Sequence, residues 1–161
     1  MNIKIKKLHK DAKIPEKVSY LAGGWDVTCT EIQVVEEDFV ICKLGFALEI
    51  PKGYRVILVP RSSFTKYKWI LQNSPGLGDA DYTGEYQYRF RALPIKVNIY
   101  NYIEDGYDRQ ETQIKYDKFP YKVGDRIGQI YLEEVIEMEF EEVEELSTTE
   151  RGEGGYGSTG N

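Results

Sequence analysis

The 161-residue chain has one histidine, two cysteines, no apolar run long enough to cross a bilayer and no excess of basic charge. Each scarcity removes a class of function. A Ser/His/Asp triad or a histidine-built zinc site would have to form around His9 alone, in a basic segment near the start. Cys29 and Cys42 sit in strand-like runs without CxxC spacing, so they are expected to be buried thiols in a reducing compartment. Met1–Lys10 is too polar for a signal peptide, and no membrane span is present. A soluble, cytoplasmic protein is therefore expected. Lysine and arginine total 21 against 27 acidic residues, a formal charge of −6 with no basic stripe. This excludes a nucleic-acid polymer as partner. A nucleotide escapes the exclusion, because a few local cations, backbone N–H groups and a divalent metal can hold one inside an acidic protein.

What the chain does contain is many short strand-like segments separated by turns. Asn2–Leu8, Val27–Val35, Phe39–Ile50, Tyr54–Val59, Glu85–Arg91, Ile95–Tyr102, Ile127–Glu133 and Glu137–Val143 carry β-branched, aromatic or alternating apolar residues. Their spacing predicts an all-β sandwich or barrel. One short helix is expected around Ser62–Trp69, with Ser62 or Ser63 as its cap. Leu93–Pro120, rich in Tyr, Asp and Glu, reads as a solvated hairpin or long excursion. In Glu133–Glu150 the glutamates read as a solvated face rather than a metal site, while Glu137–Val143 reads as a half-buried strand.

Five segments bear residues suited to chemistry. In Ala22-Gly-Gly-Trp-Asp-Val27, a turn leads into a strand with Asp26 close to backbone. Pro60-Arg61-Ser62-Ser63 joins a strong strand to the predicted helix; an arginine, hydroxyls and free N–H groups there suit a phosphate. Gly76–Glu85 holds Asp79 and Asp81 beside glycines, and a carboxylate so placed can act as a general base for water. As readily, the two aspartates bond their own backbone in a turn, and spacing does not separate their roles. Gly124–Ile130 is a turn entering a strand, with Asp125 and Arg126 as a local ion pair and Gln129 able to face a site. The last segment, Arg151–Asn161, has glycines at 152, 154, 155, 157 and 160. Composition alone reads it as a disordered end, yet its N–H groups, Arg151, Ser158 and Thr159 also suit an anion, and Tyr156 offers a flat face to a base.

In this order the five segments resemble the five sequence motifs of the trimeric dUTP pyrophosphatases (dUTPases). Trp25 stands in the tyrosine place of Ala-Gly-Tyr-Asp-Leu, and Ser63 in the glycine place of Arg-Ser-Gly. Asn73–Glu85 is similar to the motif ending Asp-x-Asp-Tyr-x-Gly. Tyr121–Ile130 is similar to Gly-Asp-Arg-Ile-x-Gln, and Arg151–Gly160 to Arg-Gly-x-Gly-Gly-Phe-Gly-Ser-Thr-Gly with Tyr156 for phenylalanine. The resemblance implies a jelly-roll-like β-barrel over residues 1–150, with an insertion at about 93–120, and a mobile Gly-rich lid over 151–161.

It further implies a homotrimer that splits dUTP into dUMP and pyrophosphate with Mg²⁺. Asp79 is then the base that activates water, and Tyr82 lies beneath the deoxyribose. Asn73 reads uracil on the hairpin that includes Gly76. Arg61, Ser62, Ser63 and Gln129 hold the α- and β-phosphates, while Arg151, Gly155, Ser158 and Thr159 close over the γ-phosphate and Tyr156 stacks on the base. Asp26 reaches Mg²⁺ only through water, so no direct protein ligand is expected.

Four departures stand out: Gly78 where the family has isoleucine, Ser63, Pro75, and the long interval from Gly84 to Gly124. Long intervals of that kind resemble phage-encoded members, whose extra segments contact other proteins. Two rival readings follow. One is dCTP deaminase, a barrel relative that Arg61-Ser62-Ser63 suits; it relies on a glutamate further along than Glu85. The other is a regulator that binds a partner protein through 93–120.

Overall fold

The structure, a computed structural model, describes residues 1–104 and 107–155, with backbone only between 98 and 111. Short strands dominate, as the turn spacing predicts. They are β1 (Lys4–Lys7), β2 (Trp25–Thr28), β3 (Glu31–Glu36), β4 (Phe39–Lys43), β5 (Phe46–Glu49) and β6 (Tyr54–Pro60). After them come β7 (Trp69–Leu71), β8 (Gly76–Gly78), β9 (Gln87–Ala92), β10 (Ile95–Glu104), β11 (Tyr107–Lys115) and β12 (Arg126–Glu134).

Two four-stranded sheets, ordered β2-β12-β6-β8 and β3-β4-β9-β7, enclose the core, and all their pairings are antiparallel. Alternation explains the packing. Val40 and Cys42 of β4 point inward opposite Phe90 and Tyr88 of β9 in the same register, and Val56 and Leu58 of β6 meet them from the other sheet. Cys29 and Cys42 are free thiols, 1% and 0% exposed, in agreement with the sequence reading. Within the 93–120 segment, β10 and β11 form a ribbon and pair with no other strand among the described residues. The rest differs from a solvated excursion: Phe119 packs at 5.0 Å on Trp69, whose indole N–H donates to the Asp117 carbonyl at 2.9 Å.

Two elements differ from expectation. The Ser62–Trp69 helix is only a 3-10 turn, η1 (Ser62–Lys66), preceded by Arg61 in extended conformation, and no side chain caps it. Phe64 fixes it instead, buried against Phe90 at 4.8 Å and stacked on Tyr121 at 5.6 Å. Glu137–Val143 forms no strand, and Met138, Phe140 and Val143 are 72%, 91% and 52% exposed. Its alternating pattern suits a strand, but no second strand pairs with it among the described residues.

One close approach makes the fold intolerant of change. Tyr88, 1% exposed, crosses from β9 to β12 and donates its hydroxyl to the Gln129 carbonyl at 2.7 Å. Its ring lies directly against Gly128, where any Cβ would overlap Cε1 and Cζ. Gly128→Ala is therefore expected to destabilise the fold by about 3 kcal/mol. For a chain this size that lowers Tm by roughly 6–12 °C. Thermal unfolding checks it, and an unchanged Tm would contradict the overlap.

Candidate functional site

The segment from Leu71 to Glu85, which passes from one sheet to the other, frames the first half of the site. β8 adds to β6 at the sheet edge, with Leu58 opposite Gly76 and Val56 opposite Gly78. A cavity of about 460 Å³ opens beside it, lined by Asn73, Gly76, Gly78, Tyr82, Glu85 and Tyr86 among others. That volume is ordinary for a small-ligand cleft. Tyr82 is fixed at both ends: its N–H donates to the Asp79 carbonyl at 3.2 Å, and its hydroxyl to the Glu85 carbonyl at 2.9 Å. The Glu85 carboxylate in turn accepts the Gly45 N–H at 3.0 Å. Asn73, Gly76 and Tyr82 thus share one cavity.

Asp79 does not line that cavity. It lies one residue beyond β8, exposed, in a smaller depression of about 260 Å³ with Tyr54, Arg55 and Glu137. Its charge nonetheless reaches Tyr86. Burial pushes that phenol up to about 12, and Tyr82 and the Asp79 carboxylate add to the rise. Asp81 is likewise exposed in the turn that follows.

The second half gathers on β2, β6 and β12. Asp26, 5% exposed, accepts from Arg126 Nη1 at 2.9 Å and Gln129 Nε2 at 3.0 Å, and Arg61 Nε lies 3.5 Å from it. Register explains the meeting: Gln129 stands opposite Asp26 on β2, and Gly128 opposite Pro60 just before Arg61. Two guanidinium groups face one carboxylate, so the cluster keeps a net positive charge and spare donors for an anion. Lys13 and Lys17 line the same 270 Å³ cleft as Asp26 and Arg126.

Arg126 was expected to pair with Asp125. It reaches across the sheet to Asp26, while the Asp125 carboxylate accepts the Lys122 N–H at 2.9 Å. Ser62 and Ser63 open η1 beside Arg61. There burial pushes the Tyr121 phenol up, against the opposing pull of the Arg61 cation.

The described part of the tail forms a turn of its own. Arg151 Nε donates to the Gly154 carbonyl at 2.7 Å and the Gly152 N–H to the Thr149 carbonyl at 3.1 Å, a local turn that is largely exposed, with Gly155 half-buried. Tyr156, Ser158 and Thr159 lie outside the described residues. None of Asp26, Arg61, Arg126 and Gln129 lines the 460 Å³ cavity. One chain therefore presents two features: a nucleoside-sized pocket whose lining holds Arg89 beside Glu85, and a separate cluster of Arg61, Arg126 and Gln129 around Asp26.

The deoxyuridine 5'-triphosphate nucleotidohydrolase of Nautilia profundicola is 36% identical over 162 residues, covering 99% of each chain. The chain belongs to the dUTPase family. The tomato dUTPase is 31% identical over 98% of this chain and 80% of its own length. The dUTPase family model itself matches residues 112–160. Among solved structures, the dUTPase of Staphylococcus bacteriophage 80alpha with dUPNHPP is similar at a TM-score of 0.75, with 27% identity and 99% of each chain covered. A jelly-roll-like β fold, expected from the resemblance, is what the two packed sheets form.

Proposed function

We propose that this dUTPase-family chain converts dUTP and water into dUMP and pyrophosphate in a homotrimer. The observation that carries this reading is the pair of half-sites. A pocket that fits a nucleoside and a cluster that fits phosphates serve one substrate when neighbouring copies bring them together. The trimer expected from the motif resemblance supplies that arrangement, with the 151–161 tail of a further copy as the lid.

Within the joined site each residue has a task. Asn73 and the Gly76 backbone face uracil, and the ring of Tyr82, tied at both ends, leaves no room under the sugar for a 2′-hydroxyl. Arg61, Ser62, Ser63 and Gln129 hold the α- and β-phosphates. Arg151, Gly155, Ser158 and Thr159 take the γ-phosphate while Tyr156 covers the base. Asp79 accepts the proton of a water as its oxygen bonds the α-phosphorus. The bond from that phosphorus to the α,β-bridging oxygen breaks, and pyrophosphate leaves with the electron pair. Positioning and charge carry most of such a reaction.

The residues fit Mg²⁺ held on the substrate. Among the described residues no group of three or more His, Cys, Asp or Glu side chains converges. Both oxygens of Asp26 already accept from Arg126 and Gln129, so this carboxylate would reach the ion only through water. Charge neutralisation across the triphosphate is what the ion supplies.

Release of pyrophosphate and of ammonia from dUTP, dCTP, dTTP and UTP with Mg²⁺ tests the reading. Pyrophosphate from dUTP well above the other three is expected. Ammonia from dCTP would overturn it in favour of a deaminase. No helix among the described residues is long and apolar enough to cross a membrane.

A further inference from the structure

Tyr86, the residue before β9, forms part of the wall of the nucleoside pocket and is 3% exposed. Its ring is held by Phe46, stacked at 6.2 Å, and by Tyr82, edge-on at 5.4 Å and 76°. A Cβ built on Gly78 would stand 2.5 Å from its hydroxyl oxygen and 2.6 Å from Cε1. The phenol therefore fills the volume that a side chain at position 78 would take, and a glycine there is what admits it.

That hydroxyl is fully buried and has no hydrogen-bond partner among the described residues. An unpaired buried hydroxyl lowers stability, so filling space alone would be better served by phenylalanine. With its acidity held down by burial, and by the nearby Tyr82 and Asp79, the phenol stays a donor at any physiological pH. Asp79 directly follows the glycine that the hydroxyl touches.

We propose that Tyr86 is a positioning residue of the reaction, whose buried hydroxyl donates to the Asp79 carboxylate in the nucleotide-bound site and sets its aim at the attacking water. This rests on the reading of Asp79 as the base. Gly78 and Tyr86 then act as one unit, since the hydroxyl reaches Asp79 only over a residue without a side chain.

Tyr86→Phe separates the hydroxyl from the ring. The expected result is a kcat for dUTP about tenfold lower, the value of one hydrogen bond to a charged group, with KM nearly unchanged and Tm equal or higher. A kcat within about threefold of the parent, or a fall that accompanies a loss of Tm, overturns the proposal. A second variant tests the pair. Gly78→Ala combined with Tyr86→Leu removes the overlap, and is expected to recover the Tm that Gly78→Ala alone loses while kcat stays low. Recovery of kcat together with Tm would make the pair a matter of packing and remove the idea. The unaltered chain is measured in the same assay. If it releases no pyrophosphate from dUTP, the functional reading fails and this one with it; if only the Tyr86→Phe ratio is flat, this one fails alone.

Discussion

Asp79→Asn is expected to lower kcat for dUTP about 10²–10⁴-fold while the nucleotide still binds, as removal of a general base requires. Asparagine keeps the size and polarity of the side chain but offers no basic oxygen for the proton of water. The groups assigned to binding, Asn73, Tyr82, Arg61 and Gln129, are untouched by the change. Tyr82 N–H bonds the backbone carbonyl of residue 79, not its side chain, so the turn keeps its shape. Single-turnover pyrophosphate release, with affinity read separately from a non-hydrolysable imido analogue of dUTP, distinguishes the two effects. Asp81→Asn is the matched control. Asp81 is exposed two residues on and should leave kcat within a few-fold. A normal kcat for Asp79→Asn with a collapse for Asp81→Asn would transfer the role to the second carboxylate, an alternative that spacing in the sequence leaves open.

The fold was largely legible because its strands obey simple patterns. In β4 and β9, alternate residues are buried, and the β-branched run of β6 is buried along its centre. Where the pattern failed, a physical reason is at hand. β8 is Gly-Leu-Gly, three residues with two glycines, and has no propensity to announce itself; pairing with β6 makes it a strand. Glu137–Val143 has the propensity but no partner strand among the described residues, and propensity alone does not make a sheet.

The site divides in the same way. Arg61, Gln129, Asn73 and Tyr82 stand out in the sequence only through the motif resemblance, and the structure places them in two separate clusters. The Asp26–Arg126 pair was missed because alternation turns residues 126 and 129 to opposite faces. A register shift between Arg126 and Gly128 reverses that parity, so both side chains converge on Asp26. No local signal marks such a bulge in a single sequence. Tyr86 lies in the Glu85–Arg91 strand candidate and carries no local signal; its closeness to Gly78 and its unpartnered hydroxyl are properties of the fold.

Deleting Arg151–Asn161 is expected to separate catalysis from stability. The contacts of the described part are local, from Arg151 to Gly154 and from Gly152 to Thr149, and nothing in the core cluster belongs to the segment. None of its described residues belongs to the core, so stability should change by less than about 0.5 kcal/mol and Tm by no more than about 2 °C. Turnover should fall by about 10²-fold or more, because the deletion takes a guanidinium and two hydroxyls from the leaving pyrophosphate, where charge builds up in the transition state. Arg151→Ala should account for a large part of that loss, since its fork is the one full charge in the segment able to meet a phosphate. The two variants also test the trimer. Mixing the tail-deleted chain with Asp79→Asn, each nearly inactive by itself, should restore turnover in mixed trimers if a tail closes over the pocket of a different copy. No recovery, with subunit exchange verified, would place the tail over its own pocket and remove the three-copy site.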